Sequence, residues 1–359
     1  MPEPQPAPVV PLSLVRPGRL DPHLWRGVDR LVDRAPTATD LRSHRIEPLA
    51  ARRLRARGRV VPEELALEER RAAVATLAGP VLLERVRAAC DGPLLLFKGP
   101  EAAARYPDPA LRQFKDLDLL APDAEAAQRS LVAAGFRPIG DPSLYLGIHH
   151  LRPLALRGLP LAVEIHSRPK WPGSLESPST DELFAAAVPS ATGVSGVLAP
   201  APAHHALLLA GHSWAHEPLR RLRDLVDIAA MLQGVDQFEL RRLARAWSVE
   251  RLWETTVASV DAVLYGGRPP LALRFWARNL LKVRERTVLE NHLERVLSNF
   301  WILPGPDALA ELLSILAGEV RPGRDETWPA KLSRSGRAAR NALRRRSEHE
   351  ATLERRPPP

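Results

Sequence analysis

The chain has 359 residues, 45% of them hydrophobic, which suits a globular protein of two packed units or of one core with extensions. Its single cysteine, Cys90, excludes a disulfide framework and a cysteine-rich zinc site, and it predicts a reducing, cytoplasmic location. The formal net charge of +9 favours a polyanionic partner such as RNA or a nucleotide.

The first segment, residues 1–17, is rich in proline and contains no aromatic residue, so we predict that it is disordered. It also lacks the apolar core of a secretory signal. Elsewhere, no stretch approaches the ~20 uncharged apolar residues that a membrane span needs. The sequence therefore predicts no membrane partner.

Apolar residues recur at helical spacing in residues 18–90, which predicts a helical amino-terminal lobe. The residues expected to form its apolar faces are Leu24, Val28, Leu31, Val74, Leu77, Val81 and Leu82. Pro62 and Pro80 are expected to interrupt the helices, because proline lacks the backbone N–H that an inner turn requires.

Residues 91–190 alternate between strand and helix patterns. The predicted elements are a strand at 94–97, a helix at 101–106, a strand at 115–120, a helix at 123–134, and a hairpin of 149–156 and 159–166. Gly135 is the expected C-terminal stop of the second helix. This order predicts an α+β fold: a small mixed β-sheet core with helices on one side.

Residues 200–320 again show helical periodicity and predict a helical carboxy-terminal lobe with several buried tryptophans. The last segment, residues 325–359, is dense in arginine and ends in three prolines, so we predict a basic, disordered tail. Two interpretations of the tail stay open: it binds nucleic acid, or it is a solvated extension that only carries charge.

Two aspartates, Asp116 and Asp118, lie one residue apart in an apolar run. Because successive side chains of a strand point to opposite faces, both would project from the same face. Adjacent carboxylates repel each other, and Mg²⁺, which favours carboxylates and substrate phosphates, would relieve that repulsion. Such a pair alone more often marks a loop or a solvated face, so a metal site needs further residues to support it.

Further motifs surround this pair in a recognisable order. They are Leu94-Leu95-Leu96-Phe97-Lys98-Gly99, Tyr106-Pro107-Asp108-Pro109, Arg112, Asp116-Leu117-Asp118-Leu119-Leu120 and Val163-Glu164-Ile165-His166. With these motifs the chain resembles a bacterial family of uncharacterised nucleotidyltransferases within the DNA-polymerase-β-like superfamily. The resemblance spans roughly residues 41–232. One departure is that Lys98-Gly99-Pro100 replaces the superfamily's commoner Gly-Ser, with a longer gap to the acids.

The resemblance implies a nucleotidyltransferase core at 91–190 and an Mg²⁺-dependent reaction in which two ions are held by Asp116, Asp118 and Glu164. Glu164 would also help to remove the proton of the acceptor hydroxyl. A glycine at the end of a strand lets backbone N–H groups approach phosphate, which is the role expected of Gly99. Lys98 and Arg112 would then neutralise the β- and γ-phosphates.

Histidines form a second group of candidates. His205, His212 and His216 have helical spacing, and their alternatives are a zinc site, a contact with substrate or nucleotide, and simple helix packing. The resemblance places His212 and Asp227 beside the active cleft, so we count both among the nucleotide-binding candidates. His166, on the same strand face as Glu164, has either a role in the cleft or a structural one.

These inferences predict transfer of a nucleoside monophosphate from a nucleoside triphosphate such as ATP. The acceptor stays open among a small molecule, a tRNA end, a protein side chain and a peptide, and the sequence does not specify an oligomeric state. Two rival functions remain. The first is a non-catalytic nucleotide-binding or regulatory module on the same fold, and the second is phosphotransfer.

Overall fold

The computed structural model describes residues 22–35, 37–42, 44–216, 218–219, 221–276, 293, 297–322 and 327–343. The chain forms two compact units, Met1–Leu281 and Lys282–Pro359. Residues 1–17, for which the sequence predicts disorder, lie outside the described residues. The lobe boundaries given above stay predictions.

The first unit is built on a seven-stranded sheet with the strand order β3-β4-β5-β2-β1-β7-β6. The strands are β1 (Leu94–Leu96), β2 (Asp116–Leu120), β3 (Arg137–Pro138), β4 (Leu154–Ala155), β5 (Ala162–His166), β6 (Val188–Pro189) and β7 (Val197–Ala199). Two pairs, β2 with β5 and β1 with β7, are parallel, and the other pairs are antiparallel. The predicted α+β fold with a mixed sheet is confirmed.

Helices precede and follow the sheet strands. They are α1 (Pro22–Arg34), α2 (Ala38–Arg42), α3 (Glu47–Ala56), α4 (Glu63–Ala89), α5 (Pro100–Ala103), α6 (Ala124–Ala133), α7 (Thr180–Ala185), α8 (Pro202–His216), α9 (Leu222–Met231), α10 (Gln237–Ala246), α11 (Glu250–Val260) and α12 (Leu271–Trp276). Single turns of other helix types lie at Pro109–Leu111, Pro142–Tyr145 and Asp261–Tyr265. No helix in the described part of the chain combines the length and the apolar character that a bilayer crossing requires.

Alternation along the strands decides which side chains form the core. Leu117 and Leu119 of β2, with Val163 and Ile165 of β5, pack into one apolar cluster. Helices α4 and α6 cover this face through buried side chains that include Leu82, Leu83, Val86 and Leu131. Because side chains alternate, Asp116, Asp118, Glu164 and His166 project from the opposite face. Packing of the leucine face thus determines where the acidic residues lie.

The local signals around α6 and the hairpin are confirmed. Asp123 Oδ1 accepts a hydrogen bond of 2.8 Å from the backbone N–H of Ala126, and Gly135 follows the helix with a φ of +94°. The hairpin forms between β4 and β5, with Leu154 opposite Val163. Its regular strands are shorter than predicted.

The long helix α4 corrects two expectations. Pro62 does precede the helix, but Pro80 lies inside it. Val74, Leu77 and Val81 were expected on the buried face, yet they are 51%, 77% and 45% exposed. The buried stripe consists instead of small residues with leucines before and after them. Packing is close here, because a Cβ added at Gly79 would lie 3.2 Å from Pro100 Cγ. Close packing at this point selects small side chains that a search for large apolar residues overlooks.

In the second unit, two helices span Gly305–Val320 and Trp328–Leu343, and a single 3₁₀ turn spans Ser298–Trp301. The helix Trp328–Leu343 falls within residues 325–359, for which the sequence predicts a disordered tail. That part of the prediction is corrected, because its alanine, arginine, lysine and leucine residues are good helix formers. Residues 344–359 lie outside the described part.

Gly99 joins β1 to α5 with a φ of +56°, and a Cβ there would lie 2.9 Å from the carbonyl oxygen of Asp116. We expect Gly99→Ala to lower the free energy of unfolding by about 2 kcal/mol or more, because it combines backbone strain with a steric clash. The measurement is chemical denaturation. Gly58→Ala is the matched control, since Gly58 has a φ of +65° but no heavy atom within 4 Å of the added Cβ. Equal losses in the two variants would contradict the predicted clash.

Candidate active site

The candidate site lies where β2 and β5 run side by side. In their parallel register Asp118 is opposite Glu164, and Leu120 is opposite His166. Asp118 is 6% exposed, and the side chain of Glu164 is 22% exposed. The pairing of the two strands brings the carboxylates together, as the sequence predicts.

Asp118 is the best-compensated acid of the group. Lys98 Nζ lies 3.5 Å and His166 Nε2 3.1 Å from Asp118 Oδ1. Burial alone would raise the pKa of Asp118, but the charge of Lys98 and the hydrogen bond from His166 outweigh it and hold this pKa well below its usual range. Asp118 is therefore a permanent negative charge at the centre of the site.

The neighbouring acids have the opposite shift. Burial, together with the charges of Asp118 and Asp116, raises the pKa of Glu164 to about 8. Burial and the charge of Asp118 also raise the pKa of Asp116. These groups repel one another in a desolvated place, which is the condition that a bound cation relieves.

The donor atoms fit a divalent cation. Asp118, Glu164 and His166 each offer one ligand atom, and these atoms lie within 4.8 Å of one another. Asp116 lines the same cavity but does not belong to this closest group. His166 was predicted only to have a cleft or a structural role. The signal that identifies it is its position two residues after Glu164 on one strand, which places both side chains on the same face.

A cavity of about 320 Å³ opens in front of these residues. All eight of the predicted site residues line it: Lys98, Gly99, Arg112, Asp116, Asp118, Glu164, His212 and Asp227. The cavity is also lined by basic residues that no sequence motif indicates: Arg45, Lys170, Arg221 and Arg223. The cavity thus joins acidic groups from the sheet to basic groups from elsewhere in the chain.

Arg112 and Asp227 bind each other instead of pointing into open space. Arg112 Nε and Nη2 donate to the two Asp227 oxygens at 2.8 and 2.7 Å, and Arg112 Nη1 donates to the Gly99 carbonyl at 3.1 Å. Tyr106 adds a hydrogen bond of 2.6 Å to Asp227 Oδ1. This contact uses the planar fork of Arg112 that was predicted to face phosphate. The pair connects the segment between β1 and β2 to helix α9.

Two other predicted contacts are also redirected. Lys98 pairs with Asp118, and helix α5 after Gly99 is only four residues long, so its N-terminus offers little positive field to a phosphate. His205 is buried, and its Nε2 lies 2.7 Å from the Phe97 carbonyl oxygen. Burial lowers the pKa of His205 to about 4, so it is a neutral residue that joins α8 to the sheet. His212 lies on the same helix and lines the cavity.

The model of the family described as uncharacterised nucleotidyltransferase matches residues 37–264. The chain belongs to this family. The matched region contains every strand of the sheet and all the predicted site residues, so the acidic face and its cavity are features of a nucleotidyltransferase core. None of the curated proteins matches the chain significantly.

The side chains of Arg112 and Asp227 are each only 4% exposed, so loss of their pair should be costly. We expect Asp227→Asn to lower the free energy of unfolding by about 3–5 kcal/mol, because it leaves the guanidinium of Arg112 buried without its counter-charge. Glu125→Gln is the control: it removes an ion pair with Arg129 whose side chains are 76% and 70% exposed. The control should change stability by less than about 1 kcal/mol in the same urea titration. Similar losses for both variants would contradict the structural role.

Proposed function

We propose that this protein is an Mg²⁺-dependent nucleotidyltransferase that transfers a nucleoside monophosphate from a nucleoside triphosphate to an acceptor hydroxyl. The observation that carries the proposal is the convergence of Asp118, Glu164 and His166, with donor atoms within 4.8 Å, on the cavity of a nucleotidyltransferase core. We further propose that the protein acts in the cytoplasm, which its one free thiol supports.

The residues proposed to hold two magnesium ions are Asp116, Asp118 and Glu164, and His166 offers an additional nitrogen donor. When bound, the ions would supply positive charge to the phosphate oxygens of the nucleotide and to the attacking oxygen. Lys98 lies close enough to Asp118 to keep that carboxylate ionised before an ion arrives.

The proposed reaction forms a bond between the acceptor oxygen and the α-phosphorus. The bond from the α-phosphorus to the oxygen that bridges to the β-phosphate breaks, and its electron pair leaves with pyrophosphate. We assign the proton of the acceptor hydroxyl to Glu164, the carboxylate that lies with Asp118 and His166 around the proposed metal position. Catalysis then consists mainly of positioning and of electrostatic stabilisation.

The acceptor is proposed only as a class. A small molecule, an RNA end, a protein side chain and a peptide all carry suitable nucleophiles. The net charge of +9 favours RNA slightly. Strong salt dependence of acceptor binding would support a polyanion, whereas little dependence would support a small molecule.

Asp118→Asn should abolish pyrophosphate release from nucleoside triphosphates while the protein stays folded, because the central negative charge of the site is lost. The reaction is run with α-³²P-labelled nucleotides in a cell extract, which supplies the unknown acceptor. Circular dichroism checks that the variant is folded. Asp91→Asn is the matched control, since Asp91 is exposed and does not line the cavity.

Normal turnover by Asp118→Asn would contradict the mechanism. Binding of ATP or GTP without pyrophosphate, across the whole extract, would support the regulatory module instead. Release of a nucleoside diphosphate would indicate phosphotransfer.

Metal binding can be measured apart from activity. We expect the electron paramagnetic resonance signal of Mn²⁺, used as a probe for Mg²⁺, to report a dissociation constant about tenfold or more higher in Glu164→Gln and in His166→Gln than in the unmodified protein. Glu176→Gln, a change outside the cavity, should leave the titration unchanged. If His166→Gln also left it unchanged, the metal would be bound by carboxylates alone.

A further inference from the structure

Part of the cavity lining is basic and is here called the arginine wall: it contains Arg45, Arg221 and Arg223. Arg45 follows α2, whereas Arg221 and Arg223 lie at the start of α9, far away in sequence. Two hydrogen bonds hold these segments together: the Arg223 N–H donates to the His44 carbonyl at 3.2 Å, and the Leu222 N–H to His44 Nδ1 at 3.4 Å. The three arginines therefore converge because the backbone is tied at His44.

This arrangement is unfavourable on its own. Arg45 has a φ of +54°, a conformation that side chains other than glycine adopt at a cost. Desolvation by the cavity walls, and then the charges of Arg223 and Arg221, lower the pKa of the Arg45 guanidinium. The acids that face Arg45 are Asp224 and Asp116. Strain and repulsion of this kind concentrate at ligand sites, where the surrounding fold maintains them.

Arg223 is also held in an unfavourable environment, which can be traced to one of its atoms. Its Nε is buried and has no hydrogen-bond partner among the described residues. Its Nη2 lies 3.5 Å from Asp224 Oδ1, at the limit of a hydrogen bond. A guanidinium with a buried donor to spare, beside two further guanidinium groups, matches the oxygen-rich, multiply charged surface of a polyphosphate.

We propose that Arg45, Arg221 and Arg223 bind the polyphosphate chain of the nucleotide, in place of Arg112. The inference rests on the proposed function and names the residues that hold its substrate. Both ends of the Arg112 fork are taken by Asp227 in a bidentate pair, so we assign the β- and γ-phosphates to the arginines of this wall. The acids of the sheet line the same cavity, so the α-phosphate of this nucleotide would lie at the carboxylates.

The size of the cavity favours a small ligand over a strand of RNA. A volume of about 320 Å³ is at the lower end of the range of pockets that enclose small molecules. The three arginines come from two segments that are tied together, and all of them line this one cavity. A cavity of this size suits the phosphates of one nucleotide, whereas an RNA backbone would have to enter it.

The test uses inorganic tripolyphosphate as the probe, titrated calorimetrically into the full chain in metal-free buffer. The variants are Arg45→Asn, whose new side chain tolerates the positive φ, and Arg223→Gln. We expect each to bind tripolyphosphate about tenfold or more weakly than the unmodified protein, as expected for loss of charge-assisted hydrogen bonds. Arg59→Gln, an exposed position outside the cavity, should bind with unchanged affinity.

Thermal melting separates ligand binding from folding. Because Arg45→Asn removes both strain and like-charge repulsion, its melting temperature should equal or exceed that of the unmodified protein while its affinity falls. Unchanged tripolyphosphate binding in both arginine variants would overturn the proposal, and so would absence of binding by the unmodified protein. Displacement of tripolyphosphate by a single-stranded RNA that lacks a triphosphate end, and not by ATP, would also overturn it and indicate an RNA site.

These outcomes are independent of the proposed reaction. If the arginine variants lose tripolyphosphate but the unmodified protein releases no pyrophosphate with any acceptor, the binding site stands and the transfer activity fails. If pyrophosphate is released but the arginine variants bind tripolyphosphate normally, the transfer activity stands and the phosphates are held elsewhere in the cavity.

Discussion

The parallel pairing of β2 with β5 is the interaction on which the site depends. It places Asp118 directly opposite Glu164, while the intervening leucine, valine and isoleucine side chains enter the core. A shift of one residue in this register would turn the carboxylates into the leucine cluster, at a large desolvation cost. Burial of the apolar face therefore fixes the register, and the register in turn holds mutually repelling acids close together. The site is stabilised mainly by packing on its reverse side.

A second constraint connects this sheet to the helices that follow it. Burial alone would raise the pKa of Asp227, but the charge and the hydrogen bonds of Arg112 outweigh burial and lower it, so the pair is ionised inside the protein. Such a pair adds little net stability compared with apolar packing, but it admits only one geometry. Through it the turn at Gly99 and helix α9 keep a fixed relation, and Arg221 and Arg223 line the same cavity as the acids of β2. The main contribution of the Arg112–Asp227 pair is to orient the arginine wall relative to the acids of the sheet.

Much of the sheet could be predicted because its signals are local. Strand alternation alone places Asp118 and Asp116 on one face, and the order of motifs adds Glu164. The arginine wall could not be found in the same way, since Arg223 meets Arg45 only after distant segments are tied at His44. The partner of Arg112 was missed for a related reason: spacing shows which residues share an element, but it does not show which charge neutralises which. The exposed apolar face of α4 shows the same limit, because helical periodicity fits either face of that helix.

The tie at His44 has a consequence for how the protein responds to its ligand. It joins residues 178 positions apart, so the arginine wall exists only in the folded chain. A compound that bridges this wall and the carboxylates binds the native state and not the unfolded one, and by mass action it must delay thermal unfolding in proportion to the logarithm of its concentration. Heating the protein with each nucleoside triphosphate in turn would thus rank the bases it prefers without any knowledge of the acceptor.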